Sequence, residues 1–349
     1  MSETAISPAA ARWIRRWLIL VGLMVYAMIL IGGATRLTDS GLSITEWDPI
    51  KGAIPPLSAA AWNDAFTKYQ TTAEYRFVNQ GMSLADFQQI YWWEWGHRFF
   101  GRMIGLVAVA GLAFFALKRW LTRRLAVRIL VLILLGGLQG AIGWWMVSSG
   151  LTERVDVSQY RLAAHLALAV LLFAAIFWIA LDLLSAPRKK RSPLAPFAFA
   201  LAAGVYAQMI LGAFVAGLRA GRTFNTWPLM DGKIFPDGYF SGAPGLNDLF
   251  ETAAASQFNH RLGAYLLAAA VAAFYVLARK TDMKARAQLL LVAVLAQVVL
   301  GIWTIVAATP IALGLAHQAG ALIVLCCALY AAHGSINSIE MTGSASVAA

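Results

Sequence analysis

Cysteine is almost missing from this sequence of 349 residues: the only two, Cys326 and Cys327, are adjacent and lie inside an apolar run. Neighbouring cysteines rarely bridge one another, because disulfide geometry asks for Cα atoms at least about 4.4 Å apart. Neither a disulfide framework nor a cysteine-rich metal site is expected. Charge is scarce too, at 13% of residues against 60% hydrophobic and a mean hydropathy of +0.66. A water-soluble chain of this length, whether one domain or two, has too little interior to hide so much apolar surface. Long apolar runs stand in place of the missing charge. Eight of them, at 17–35, 96–117, 128–148, 162–184, 195–217, 255–278, 288–308 and 311–333, approach the roughly 20 residues that cross a bilayer. The expected class is an all-α integral membrane protein with eight transmembrane helices.

The net charge of +11 is topological and carries no nucleic-acid signal. Basic residues cluster at Arg12, Arg15 and Arg16, in KRWLTRRLAVR (118–128), in PRKKR (187–191) and in RKTDMKAR (279–286). If eight spans alternate, all four clusters fall on one side, which the positive-inside rule makes cytoplasmic together with both termini. Most of the 17 acids, among them Asp39, Glu46, Asp48, Asp64, Asp231 and Asp248, fall in or beside the opposite loops. The N-terminal MSETAISPAAARWIRRW reads as neither a secretory signal nor a transit peptide, so the first span is expected to act as an uncleaved anchor.

The chain repeats itself. Tyr26, Gly32, Gly41 and Trp47 recur 180 positions later as Tyr206, Gly212, Gly221 and Trp227. His97-Arg98 recurs as His260-Arg261, Gln139, Gly143 and Trp145 as Gln297, Gly301 and Trp303, and Ala164-His165 as Ala316-His317. Order and register hold through all four pairs of spans. The expected architecture is two tandem, pseudo-twofold-related four-helix bundles, residues 1–190 and 191–349. An even number of spans in each half makes the repeats parallel, which disfavours an inverted transporter repeat.

Four of the five histidines belong to the repeat. His97, His165, His260 and His317 each lie near the start of a span running from outside to inside, at similar expected depth. Two imidazoles facing across a helix bundle are the usual protein contribution to a bis-His haem. Zinc fits less well, since a structural site takes four N/S ligands and no cysteine lies near these pairs. A lone intramembrane histidine is more often a hydrogen-bonded packing residue, and His333, which has no counterpart, is expected to be an ordinary interfacial one. Glycines on the other spans (Gly32, Gly33, Gly136, Gly137, Gly140, Gly143) suit either close helix packing or space for a flat macrocycle. Trp47, Trp62, Trp92, Trp93, Trp95 and Trp227 read mostly as an interfacial belt.

The halves differ where chemistry would need them to. Glu94 lies three residues before His97, in what the hydropathy pattern makes the first turns of its helix; the matching residue before His260 is Gln257. An electron-transfer haem needs no carboxylate, whereas an oxidising or proton-handling site often does. The competing reading pairs Glu94 with Arg98 or Arg102 at the water interface. The first outer loop is roughly 55 residues long, more than a connector needs, and its aromatic content predicts short helices over the first bundle. Arg36, Arg98, Arg219, Arg222 and Arg261 could pair with haem propionates or simply snorkel.

Jointly, GGATRLTDSGLSITEWDPIKGAIPP, EWGHRFFGR, LQGAIGWWMVSSGL, AAHLALA, TFNTWPLMDG, FNHRLGAY and LAHQAGAL resemble the haem A synthase family, in its proteobacterial and mitochondrial branch, over essentially the whole chain. The resemblance implies a membrane oxidoreductase that oxidises the C8 methyl of haem O to a formyl group, giving haem A for terminal oxidases. It implies haem b between His260 and His317, substrate haem O at His97 and His165, and a catalytic Glu94. Arg98 and Arg261, repeated beside their histidines, are expected from that position to bind haem. The expected route is stepwise, through a hydroxymethyl stage to a hydrated aldehyde. It further implies the bacterial inner membrane, haem sites toward the periplasm, and haem O synthase as substrate donor. The electron donor, the source of oxygen and any homo-oligomer are left open. Some members carry a cysteine pair in an outer loop; this chain has none, so a thiol-based role does not carry over. On the residues alone, two other readings stand: a di-haem b-type cytochrome, and a haem transporter or chaperone.

Overall fold

A computed structural model describes residues 6–152, 154–184 and 191–336. Positions 187–190 of the basic run, the expected division after residue 190, the first five residues and the tail beyond 336 lie outside them. The described chain forms α1 (Pro8–Leu37), α2 (Ala59–Gln70), α3 (Ala73–Phe77), α4 (Leu84–Leu117), α5 (Arg123–Ser148), α6 (Gln159–Asp182), α7 (Ala195–Gly217), α8 (Ala253–Ala278), α9 (Lys284–Val306) and α10 (Ile311–Ile336), with short 3-10 turns. All but α2 and α3 are long and apolar enough to cross a membrane. No strand is present among the described residues beyond one isolated bridge between Met230 and Lys233.

Local chemistry sets the helix starts. Ser7 accepts a hydrogen bond from the Ala10 N–H and Pro8 opens α1; Thr122 and Thr252 cap α5 and α8 in the same way. The largest departure from expectation is α4, which begins at Leu84 and not near 96. Ser83 caps it, Asp86 stands in its first turn, and the helix runs for 34 residues. Hydropathy reveals only the apolar part of such a helix and misses its polar beginning. At 1.5 Å per residue it is about 51 Å long, against a hydrocarbon core of about 30 Å. Glu94, His97 and Arg98 therefore stand three to four turns into α4, not at its mouth.

The projecting end of α4 carries the expected cap. Helix α2 and the 3-10 turn Lys51–Ala53 pack on it. Tyr69 and Phe87 are both fully buried and stack at 5.2 Å between ring centres, with Phe66 at 5.0 Å from Phe87.

Helix α1 touches α4 and α6, and α5 touches the same two, so these four close a ring. Helices α7, α8, α9 and α10 close a second ring, and the two meet through α6 on α7, α1 on α10 and α6 on α10. Ile29, Val170, Phe173, Leu201, Leu322 and Leu325 belong to one continuous buried cluster that spans this meeting. The outward faces expose large apolar side chains, from Leu106 at 60% to Val299 at 65%. In water such surface drives association; in lipid it matches the solvent, because each helix satisfies its own backbone. His333, expected at an interface, is instead 2% exposed, with Nε2 3.0 Å from Asp182 of α6. It ties the end of α10 to the first ring.

Candidate functional site

Each repeated histidine presses its ring against one repeated glycine. His97 lies on Gly32, His165 on Gly143, His260 on Gly212 and His317 on Gly301. A methyl group at Gly143 or Gly301 would stand 2.8 Å from the facing Cε1, at Gly212 3.2 Å, and at Gly32 3.5 Å from Nε2. These glycines make room for imidazole. Gly136, Gly137 and Gly140 do not pack closely, since a side chain there would meet nothing within 4 Å. Gly32, Gly143, Gly212 and Gly301 each lie five residues before the end of their helices at Leu37, Ser148, Gly217 and Val306. The four rings therefore share one depth, about 7.5 Å inside those ends.

Across the second ring, His260 and His317 stand with centres 6.3 Å apart and planes at 80°. Two imidazoles sharing a metal at bonds of about 2 Å have ring centres about 6 Å apart, so the pair fits one iron between them. Beside it, Arg261 is 7% exposed, and its Nε and Nη1 are buried with no hydrogen-bond partner among the described residues. Unmet buried donors of this kind suit an anionic group such as a propionate. The donor set and the orphaned guanidinium fit a haem.

Three donors surround Glu94, which is 2% exposed. Its Oε2 accepts from the Ser43 hydroxyl at 2.7 Å and the Ile44 N–H at 2.8 Å, and its Oε1 from Arg98 at 2.6 Å. Arg98 also donates to the carbonyls of Ile44 and Glu46. The expected pairing with Arg98 is present, but away from water; Arg102 donates instead to the carbonyls of Pro49 and Asp48. The second ring repeats the frame, with the arginine donating in the same sense and only the contact to the loop reversed. Gln257, fully buried, accepts from Arg261 at 2.8 Å and donates to Ala220 and Phe224 carbonyls at 2.7 and 3.2 Å. Phe224 stands 180 positions after Ile44, so one loop offers the acid an N–H where the other offers the amide a carbonyl.

Of the other candidate arginines, Arg36 and Arg219 are taken up between the rings. Arg36 donates to Asp156 at 2.6 Å and to the carbonyls of Ala216 and Gly217. Arg219 donates to Asp156 at 2.9 Å and pairs with Asp39 at 2.9 Å. Burial pushes the Asp156 carboxyl up, but hydrogen bonds from Arg219 and the charge of Arg36 outweigh it and hold the group below its ordinary range.

Sequence reasoning missed two residues here. Ser43 sits in the long loop between the repeated Gly41 and Trp47, with the hydroxyl residue Thr223 at the matching position, a register that could have marked it. Gln208, which contacts His260, stands four residues before Gly212 as Gln139 stands before Gly143, a spacing that could have identified it.

A family model described as COX15-CtaA, cytochrome oxidase assembly protein, matches residues 15–329. The chain is 55% identical to the heme A synthase of Hyphomonas neptunium over 338 residues, 95% of each chain. It is 50% identical to that of Parvibaculum lavamentivorans over 334 residues (95% of this chain, 96% of the relative) and 48% to that of Maricaulis maris over 322 (91% and 94%). Matched over nearly its whole length, the chain belongs to the COX15-CtaA family of cytochrome oxidase assembly proteins.

Proposed function

We propose that this chain is a multi-pass inner-membrane enzyme that oxidises the C8 methyl of haem O to the formyl group of haem A. Family membership and relatives of about half identity over almost the full length support the reaction. The observation that carries the residue-level reading is the buried carboxylate of Glu94, one helical turn from His97, where the second ring has a neutral amide.

The two rings are tandem repeats, residues 1–190 and 191–349, with divided labour. His97 and His165 hold the substrate haem in the first. His260 and His317 would hold a haem b in the second, which supplies one-electron redox chemistry when bound. Arg261 would meet a propionate there through Nε and Nη1, which have no hydrogen-bond partner among the described residues. Arg98 locks Glu94 to the loop, and the carboxylate positions the methyl and exchanges protons as it is oxidised through a hydroxymethyl stage to a hydrated aldehyde. Its Oε2 partner Ser43 also borders an outer cleft of about 420 Å³ lined by Thr45, Glu46, Asp64 and Lys68, which gives those protons a short way out. Both termini face the cytoplasm, the haem sites lie toward the periplasm, and haem O arrives from the enzyme that makes it.

Glu94→Gln tests the proton role. Haem A formation is expected to fall by about 100-fold or more, within the range of general acid–base catalysis, while haem binding persists; undiminished formation removes the role. Pigment extraction from the purified protein should yield haem O and haem A beside haem B. Haem B alone would favour an electron-transfer cytochrome.

A further inference from the structure

A groove of about 580 Å³ lies between the start of α1 and the end of α4, at the opposite end of the first ring from its histidines. Its lining is largely aromatic. Trp17 lies across α4: a methyl group at Gly111 would stand 2.1 Å from its indole nitrogen, which donates to the Val107 carbonyl at 3.1 Å. Phe115, 4% exposed, meets the Trp17 ring edge-on at 5.5 Å and stacks on Trp120 at 6.0 Å. Trp13 and Phe114 line the groove from its exposed sides.

Two cations border this apolar trough. Arg16 lies over the Trp13 ring at 5.3 Å and Lys118 over the Phe114 ring at 5.9 Å. Arg16 immediately precedes the apolar run that begins at 17, and Lys118 immediately follows the run that ends at 117. Both therefore stand at headgroup level, where basic residues flank a span. No acid occurs between residues 4 and 38 or between 95 and 152. Of the basic residues at 12–16 and 118–128, only Arg128 pairs with an acid among the described residues, Asp182 at 2.8 Å. The charge around the groove is thus uncompensated by the protein.

The repeat did not keep this arrangement. Its offsets are 180 positions for α1 (Tyr26 to Tyr206) and 163 for α4 (His97 to His260). They put Pro196, Thr281 and Met283 where Arg16, Lys118 and Trp120 stand. At the position of Gly111 the second ring has Phe274, which is fully buried and fills the space that Trp17 crosses in the first.

We propose that this groove is a binding site for a phospholipid whose head carries a net negative charge. The phosphate accepts hydrogen bonds from Arg16 and Lys118, and an acyl chain lies along Trp17 and Phe115. The surrounding basic residues favour a net anionic head over a zwitterionic one. The site belongs to the first ring alone and does not depend on what the histidines hold.

Native mass spectrometry of the delipidated full-length protein reads this, with phosphatidylglycerol or phosphatidylcholine of the same acyl chains as the probe. One phosphatidylglycerol should bind at least about tenfold more tightly than phosphatidylcholine. Arg16→Gln together with Lys118→Gln should weaken that binding about 25-fold, a factor of about five for each cation lost near a membrane surface. Both side chains are exposed, so the melting temperature in phosphatidylcholine alone should not change. Arg123→Gln together with Arg124→Gln removes as much charge from residues outside the groove and should cost far less. Equal uptake of the two lipids by the wild type overturns the proposal whatever the variants do. An equal loss in the two double variants overturns it too, by leaving only a general field of charge. Competition by glycerol phosphate, the head without its chains, would assign the cations to a free anion. A dimer that the Arg16 and Lys118 substitutions dissociate would place a second copy of the chain in the groove instead.

Discussion

A single hydrogen atom in place of a methyl decides whether each imidazole can reach its position. The four glycine contacts are graded, 2.8 Å at Gly143 and Gly301, 3.2 Å at Gly212 and 3.5 Å at Gly32, and the grading is itself a prediction. Contacts below 3.0 Å force the ring or the helix to move in a well-packed site, whereas 3.5 Å is ordinary van der Waals distance. Gly143→Ala and Gly301→Ala should each lose most of the haem at their own site, Gly212→Ala part of it, and Gly32→Ala very little. Gly140→Ala, with open space around it, serves as the control. Haem content per protein checks the order, and a Gly32→Ala variant as depleted as Gly143→Ala would contradict it. Glu94 and Gln257 make a related point: one carboxylate-for-amide difference reverses the hydrogen bond to the loop, while the arginine donates to both residues.

At the scale of elements, the polar start of α4 and its cap pack as a unit. Glu74, at the start of α3, is 5% exposed and accepts from Tyr69, which also receives the Asn79 amide. Burial raises its pKa to about 7, the Tyr69 hydrogen bond opposes the shift, and Glu94, Asp39 and Asp156 add to it through their charges. A carboxyl with a raised folded-state pKa stabilises the structure relative to its ionised form below the ordinary value near 4.3, and that contribution is lost as pH rises toward 7. Hydrogen exchange in residues 59–79 should therefore speed up between about pH 4.5 and pH 7 beyond the intrinsic chemical increase. Glu74→Gln should abolish the excess. An excess that persists in the variant would place the titrating group elsewhere.

For the whole molecule, the question is what holds the two rings in register. Apolar packing around Ile29, Val170 and Leu322 does so along the helices, and at their ends Asp156 bridges Arg36 of α1 and Arg219 after α7. Asp156→Asn leaves two guanidinium groups with Asp39 as their remaining acid, and should lower stability in detergent by roughly 1–3 kcal/mol, the range for hydrogen bonds to charged groups. Because the folded pKa of Asp156 is depressed, its contribution is present above the ordinary value near 3.9 and disappears as pH falls below about 4. Thermal melts at pH 7 and below pH 4 check both claims: the difference between wild type and variant should shrink in acid. An equal gap at both pH values would assign the stability to packing.

The sequence by itself determined the class, the eight spans, the repeat and the four histidines. These rest on composition and periodicity, which a long apolar helix must display to sit in lipid at all. Glu94 was legible for the opposite reason, as the place where the repeat fails. What only the tertiary structure decided depends on which side chains meet across helices. The polar start of α4 was hidden because hydropathy reads only the lipid-matched part of a helix. Gly32 and Gly143 proved to be seats for imidazole rings, while Gly136 and Gly140 face open space; glycines in one run look alike until their neighbours are known. That Ser43 meets Glu94 was decided only in three dimensions, because a hydrogen bond is set by distance and direction between residues far apart in the chain.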